Sequence, residues 1–343
     1  MPQPMNDDAH NVALDDVLRS QVITQIRQSI TSEIICPSNG GKAIFFGVDG
    51  SFIQHAMITM QSVINHSMRF AFHFHILSSE LTEEHCSAYR HIAETGGCGL
   101  TLHKISPELF SDLPTTDLFS KATYYRLLAP KLIEQDQLLY LDADIVCLAP
   151  CDEIWSHPRE NKVAYVMSES SQLAPILAEN AGLKGGCYFN AGVMLINRQR
   201  WNEFNVSESA FDLLVKKGKG FKYLDQDALN IVLEGKVEFG ERRFNTIFML
   251  EHNEQGYRAL PASNTVFLHY AGADKPWQQW NEQAVCHFYR DIFSQSPMAG
   301  FPYDLPKNDR QAKKLYKLLF RSKKIIPGLY WLVKYYKMRY IKL

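Results

Sequence analysis

The chain has 343 residues, 46% of them apolar and 21% charged, with a net charge of −1. That is enough for one large core, or for one core and a smaller lobe, and no apolar run approaches the roughly 18 residues that span a bilayer. The seven cysteines are scattered, odd in number and never spaced Cys-x-x-Cys, which argues against a disulfide framework or a zinc site.

Residues 1–40 read as a polar extension with one amphipathic helix near "VLRSQVITQIRQSI". Their acidic start lacks the apolar stretch of a secretory signal, so the expected setting is the reducing cytoplasm. Lys42 opens the first clear strand, "KAIFFGVDGSF", which ends in the turn signal Asp-Gly-Ser. "IQHAMITMQSVINHS" has apolar residues at helical spacing. "FAFHFHILSS" is a strand, "LTEEHCSAYRHIAETGG" a helix with acids in its first turn and glycines at its stop, and "GLTLHKI" another strand. This β-α-β-α-β order predicts a parallel sheet flanked by helices. "TYYRLLAPKLI" follows as a helix, "KVAYVM" and "AGVMLIN" as strands, "DQDALNIVLEG" as a helix and "TVFLHYAG" as a late strand. The α/β pattern ends near residue 295, "SQSPMAGFPYDLPKND" reads as a linker, and a basic tail follows. The expected domains are thus 1–40, a catalytic unit over 41–295, and 296–343.

"LLYLDADIVCL", residues 138–148, raises the chemical question. It is an apolar run with two carboxylates, Asp142 and Asp144, inside it. A lone ionised carboxylate is costly to bury unless it is paired or binds a metal. In a strand the two would share a face, with Cα atoms about 7 Å apart. Ligands bind beyond the carboxyl ends of strands in open α/β sheets, and two such carboxylates can share Mg2+ or Mn2+. Two exposed loop acids are the alternative. Three further segments add candidates. "YFNAGVMLIN" offers Asn190, with Gly192 allowing a ligand close to the backbone. "YLDQDALN" places Asp225, Gln226 and Asp227 at a helix start, where Asp225 could instead be a cap. "FLHYAGADKPW" sets His269 at a strand end, followed by Gly272 and Lys275, a point charge suited to phosphate.

Together "AIFFGVDGSF", "TYYRLLAP", "LLYLDADIVC", "YFNAGVMLIN", "DQDALNIVLEGK", "FNTIF" and "LHYAGADKPW" resemble glycosyltransferase family 8, in family order over roughly 42–280. Within it, the nearest similarity is to bacterial enzymes that add glucose or galactose to the lipopolysaccharide core. The resemblance implies a GT-A-type, Rossmann-like mixed sheet flanked by helices, and a retaining transfer of an α-hexose from UDP-hexose. It implies Mn2+ or Mg2+ held by Asp142, Asp144 and His269 and bridging the UDP diphosphate. Lys275 and the Gly272 backbone would meet the phosphates, with Ala143 between the metal-binding acids. Gly47, Asp49 and Phe52 would meet the base, Arg126 and Asn190 the donor sugar, and Asp225 and Gln226 its reacting face. Two departures stand out. The family's Asp-x-Asn-Tyr is here Asp-Gly-Ser-Phe, so Phe52 has lost the hydroxyl. A later family Asp has Glu169 as its nearest counterpart. For the mechanism, Gln226 as nucleophile, Asp225 as nucleophile and front-side attack with a phosphate oxygen as base all stay open.

From residue 305 the tail carries 12 Lys/Arg against the single acid Asp309, interleaved with Tyr, Phe and Trp. That pattern also occurs in RNA binders. It fits better with a helix pair broken at Pro327-Gly328 that lies on anionic headgroups. No nucleic acid is expected; the expected partners are UDP-sugar, the lipopolysaccharide core acceptor and the cytoplasmic face of the inner membrane, with the protein peripheral there. Competing readings are a family 8 transferase for another glycan, a phosphotransferase using Asp-x-Asp, and a non-catalytic sugar-nucleotide binder.

Overall fold

The run "KAIFFG" is apolar on both faces, as a strand covered on both sides must be. In the computed structural model, which describes residues 28–340 apart from 39, 67–68 and 117–118, it forms β2 (Lys42–Gly47), inside an eight-stranded mixed sheet. The strand before it, β1 (Ile30–Cys36), runs antiparallel along the edge. Then come α1 (Phe52–Asn65), β3 (Phe72–Ser78), α2 (Glu83–Thr95) and β4 (Gly99–Ile105). β2, β3 and β4 pair in parallel, as the β-α-β-α-β reading predicts. Helix α2 starts where it should: Thr82 accepts from the His85 N–H, and Glu83 and Glu84 sit at the positive end of the helix.

Helix α3 (Tyr125–Leu132) leads into β5 (Gln137–Leu141) beside β2, then β6 (Ile145–Cys147) and β7 (Ala164–Ser168). After α4 (Ala174–Asn180), β8 (Phe189–Asn197) enters antiparallel between β5 and β7. Helices α5 (Arg198–Glu203), α6 (Val206–Lys217) and α7 (Asp225–Val232) follow, then β9 (Val237–Phe239) at the far edge. A second sheet of three strands joins β10 (Thr246–Met249) and β11 (Phe267–Ala271) to β6. Helix α8 (Glu254–Arg258) lies between β10 and β11. The chain closes with α9 (His287–Gln295), α10 (Asp309–Arg321) and α11 (Ile325–Tyr340).

Strand alternation sends side chains into two cores. Ile44, Phe46, Phe74 and Ile76 pack with Met57 and Met60 of α1, Tyr89 of α2 and Tyr289 of α9. Phe45, Leu138 and Tyr140 pack on the other face with Leu127 of α3, Leu214 of α6 and Leu229 of α7. Each such buried side chain contributes about 1.5–3 kcal/mol, so apolar burial on both faces holds the strand ends in place.

Four expectations meet a different arrangement. Residues 30–36, read as extension, are a sheet strand, while most of the helix expected near 17–30 lies outside the described residues. The run 138–148 is not one strand: it leaves the main sheet after Leu141, turns through Asp142–Asp144 and resumes as β6 in the second sheet. The 296–308 linker is packed down, with Met298 buried, Phe301 and Tyr303 against the first core, and Asp304 bridged to Gln278. The tail breaks at Lys323, whose φ is 59°, not at Pro327. Pro327 sits in the first turn of α11, where its missing N–H costs nothing. Among the described residues no helix is long and apolar enough to cross a membrane.

Candidate active site

The site forms where β5 lets go of the sheet. The Asp142 N–H still donates to the Gly192 carbonyl at 2.8 Å, and Thr59 of α1 caps the turn by donating to the carbonyls of Ala143 and Ile145 at 3.1 and 2.7 Å. Asp142, Asp144 and His269 each present a ligand atom, and these atoms lie within 4.8 Å of one another. Among the described residues no other group of three His, Cys, Asp or Glu side chains is arranged this way. The pairing of β8 with β7 slips between Val166 and Met167, opposite Asn190–Val193, an irregularity of the kind that re-aims chains beside functional sites. A Cβ on Gly192 would stand 2.5 Å from His269 Cε1 and 2.8 Å from Asp142 Oδ2. Gly192 therefore makes room for the cluster itself rather than for an incoming ligand.

Two fixed cations meet the carboxylates. The Arg126 guanidinium reaches Asp142 at 3.2 Å and Asp225 at 2.9 Å, donates to the Ala191 carbonyl at 2.7 Å, and lies over the Tyr140 ring. Lys275 Nζ reaches Asp144 at 2.5 Å and the Tyr270 carbonyl at 2.6 Å. Burial resists ionisation of Asp144, but Lys275 and His269 more than offset it and hold the carboxyl below the usual range. Three carboxylates against two cations leave an excess of one negative charge. A divalent cation would reverse that sign, which suits an anionic diphosphate.

The donor set fits a hard divalent cation. Buried Asp144 Oδ1 receives no hydrogen bond and faces His269 Nε2 at 3.2 Å. The other ring nitrogen is engaged: His269 Nδ1 meets Asn245 Oδ1 at 2.9 Å. The direction of that bond follows from its neighbours. The Gly192 N–H donates to Asn190 Oδ1, and Asn190 Nδ2 donates to the Glu169 carboxylate, so the Asn190 amide can point only one way. Asn245 Nδ2 then donates to Asn190 Oδ1 at 2.9 Å, and its own Oδ1 must accept from His269 Nδ1–H. A proton is thereby kept on Nδ1, and Nε2, which faces the two carboxylates, is the nitrogen left to bind a metal. Burial opposes the charged ring, but Asp144 and Asp142 outweigh it and raise its pKa, so a metal would take the place of a proton on Nε2. Sequence reading missed Asn245, although it lies in the quoted "FNTIF".

The structure brings most of the other predicted residues around this centre. Gln226 Oε1 accepts from the Ala191 N–H, and its Nε2 donates to the Tyr188 hydroxyl. Asp225 is buried and engaged by Arg126 and by the Thr123 hydroxyl, so it anchors Arg126 rather than capping α7. Burial pushes its carboxyl up to about 6, against the pull of Arg126 and Thr123. Glu169 joins the cluster through Asn190, whatever its mismatch to the family pattern. Asp49 is linked to the centre by adjacent residues of α3: Tyr125 donates to Asp49 at 2.5 Å while Arg126 grips Asp142. Gly47 permits that approach, since a Cβ there would sit 2.9 Å from Tyr125 Cβ. Asp49 also accepts from Ser78 Oγ, Ser79 N–H and Ser79 Oγ. These four donors fill the acceptor positions of a carboxylate, and a base N–H reaches it only by displacing one. Phe52 is 39% exposed and stands edge-on to Trp277. Gly272, at φ 85°, turns the chain between His269 and Lys275.

Comparison with known proteins agrees with this arrangement. The model of glycosyl transferase family 8 matches residues 43–281, and that of the family 8 C-terminal region matches 284–339. Lipopolysaccharide 1,2-glucosyltransferase of Escherichia coli is 30% identical over 307 residues, covering 86% of this chain and 91% of the relative. Lipopolysaccharide 1,3-galactosyltransferase of Salmonella typhimurium is 29% identical, covering 87% and 91%. Among solved structures, the galactosyltransferase LgtC in complex with donor and acceptor sugar analogs superposes with a TM-score of 0.64 at 22% identity, over 80% of this chain and all of LgtC. That likeness supports the GT-A-type fold. Most of this chain matches one family model, and the chain belongs to glycosyl transferase family 8.

Proposed function

We propose that this chain is a metal-dependent hexosyltransferase that moves glucose or galactose from UDP-hexose to a hydroxyl of the lipopolysaccharide core, with retention of the α configuration. The observation that carries the reading is the Asp142–Asp144–His269 cluster, set in a chain alike over most of its length to two lipopolysaccharide hexosyltransferases. Those three side chains would hold Mn2+ or Mg2+, which would supply Lewis-acid stabilisation of the UDP leaving group. Lys275, ion-paired to Asp144, would lend its positive charge to the diphosphate bound beside that carboxylate. Arg126, fixed by Asp225, orients Asp142 and walls the donor pocket. Gln226 stands with its amide fixed by Ala191 and Tyr188, which favours a hydrogen-bonding role at the sugar over a covalent one. Asp225 is 1% exposed, with Oδ1 taken by the Thr123 hydroxyl and Oδ2 ion-paired to Arg126 without receiving a hydrogen bond, and its burial disfavours it as a nucleophile. Front-side attack, with a phosphate oxygen taking the acceptor proton, is the mechanism these constraints leave in front.

The test is a donor screen with UDP-glucose and UDP-galactose on purified truncated core acceptor, with and without Mn2+ or Mg2+. Asp142→Asn should lower metal-dependent transfer by about a thousandfold, the scale of losing a main electrostatic contact. Wild-type turnover in that variant would overturn the site. Gln226→Ala should lose only about ten- to a hundredfold, the scale of one substrate hydrogen bond. Complete loss, together with a trapped adduct in the parent, would restore the covalent route.

A further inference from the structure

Lys275 lies on a short loop between β11 and the Trp280 region, and its neighbour Asp274 is gripped from three sides. Lys314 Nζ donates to both Asp274 oxygens at 2.8 and 2.6 Å. Trp280 Nε1 donates to Oδ1 at 3.2 Å, and His252 Nε2 meets Oδ2 at 3.2 Å. Lys314 belongs to α10, in the C-terminal helical pair. The next residue, Leu315, packs with Leu318 and Trp280, and Trp331 of α11 closes that cluster. Ties to the loop backbone add to the hold, among them Arg290, which donates to the carbonyls of Pro276 and Gln278 at 3.0 and 3.2 Å. The Lys275 N–H donates to Gln278 Oε1 at 2.9 Å, and Asn281 Nδ2 donates to the Lys275 carbonyl at 2.8 Å.

We infer that Lys314 is a positioning residue for the donor: through Asp274, the C-terminal helical pair holds the loop that aims Lys275 at the diphosphate. This rests on the reading that Lys275 meets the UDP diphosphate. The loop turns at a left-handed Gly272 and has no strand or helix of its own between Ala271 and the Trp280 turn. Its geometry therefore depends on ties to its surroundings: the Asp304 N–H donates to the Trp277 carbonyl at 2.9 Å and the Gln279 N–H to the Asp304 carbonyl at 3.0 Å, while the bidentate pair from Lys314 is the tie that joins Asp274, the residue before Lys275, to α10. The C-terminal pair is then part of the donor site's support and not only an attachment to it.

The experiment compares Lys314→Met, which keeps the aliphatic stem, with Lys314→Arg, which keeps the charge, in the full-length chain. UDP binding with Mn2+ is titrated calorimetrically, and kcat and both KM values are measured with UDP-hexose and acceptor. Lys314→Met should raise the UDP dissociation constant and the donor KM by about three- to tenfold, the scale of a partly exposed charge-assisted contact. The acceptor KM should stay unchanged, and Lys314→Arg should recover most of the loss. Asp274→Asn should give the same loss, and the double variant should be no worse than Asp274→Asn alone. A purely structural lysine would lower Tm and the folded fraction while leaving the donor KM of the folded protein as it was; that result overturns the inference. Lys275→Ala separates the two readings. If it leaves UDP binding unchanged, the assignment of Lys275 has failed; if it weakens binding while Lys314→Met does not, the positioning role has failed. Should Lys314→Met not fold, hydrogen exchange on the unaltered chain carries the test. The Lys275 and Gln278 amides should open with α10, and exchange far faster than α10 would refute the latch.

Discussion

At the scale of single residues, buried polar groups around the candidate site constrain one another. Asn245 touches neither carboxylate, yet it keeps a proton on Nδ1 of His269. Asn245→Leu removes both its bonds, and Mn2+ affinity measured by electron paramagnetic resonance should fall about 10- to 100-fold, as when other partners of ligating histidines are lost. Unchanged affinity in a folded variant would show that His269 is oriented by other means. Asp225 gives a pH signature. Its carboxyl sits at about 6 instead of the ordinary 3.8, mainly because it is buried. The native chain thus holds that proton more tightly than the unfolded chain. Its contribution to stability is complete below the ordinary value and is lost as pH rises through about 6, by roughly 1–3 kcal/mol. Asp225→Asn lacks this term. The Tm of the variant relative to the parent should therefore climb between pH 4 and 6 and level off above. A difference that is flat across that window refutes the assignment. Transfer should also fall below about pH 6, since only ionised Asp225 pairs with Arg126.

At the scale of elements, chain ends and irregularities place the chemistry. Asp142 and Asp144 were legible because they interrupt an apolar run, where a charge is out of place, and His269 and Lys275 because they flank a glycine turn at the end of a late apolar strand. The parallel core was legible from alternating and two-sided apolar runs. Other features left weaker marks. β1 is an edge strand with mostly exposed side chains, so it shows no core-facing alternation. The antiparallel entry of β8 depends on partners far along the chain. Asn245 lies at the end of a short helical turn whose sequence has no period to read. Residues 296–308 look like a linker because prolines and glycine punctuate them, yet Met298 and Phe301 are spent on packing. The slip in β8 explains Gly192 better than ligand access did, and it can be tested. Gly192→Ala puts a methyl group into the space of His269 and Asp142. It should weaken Mn2+ binding at least about tenfold while leaving the apolar layers, and hence Tm, within a few degrees. Normal binding in that variant would mean the cluster can shift to accept the Cβ.

At the scale of the whole molecule, the C-terminal helix differs from the rest in what it exposes. Helix α11 leaves Ile326, Leu329, Tyr330, Val333, Tyr336 and Tyr340 exposed, at spacings that gather on one side of a helix. Its partner α10 spends Leu315 and Leu318 on Trp280. Gly328 lets the two helices close up, since a Cβ there would stand 2.6 Å from the Phe320 ring. The segment from residue 305 onward carries twelve Lys/Arg against one acid. We propose that this stripe, in a segment of that charge, lies on an anionic lipid surface. Removing the tail is a poor test of this, because truncation before α10 also removes the Lys314–Asp274 contact and the cover over Trp280. Ile326→Asp with Val333→Asp is cleaner: both side chains are more than half exposed, at 83% and 55%, and neither belongs to the Trp280 cluster. Full-length protein should co-sediment with phosphatidylglycerol vesicles, bind phosphatidylcholine vesicles much less, and detach as salt is raised, because each Lys or Arg near the surface adds about 1 kcal/mol of screened attraction. The double variant should lose at least about tenfold in partitioning, since two apolar anchors worth about 1.5–3 kcal/mol each become charges, with UDP binding intact. Equal sedimentation of parent and variant would end the membrane reading and leave the exposed stripe to a protein partner; loss of UDP binding as well would show that α11 and the donor loop move together.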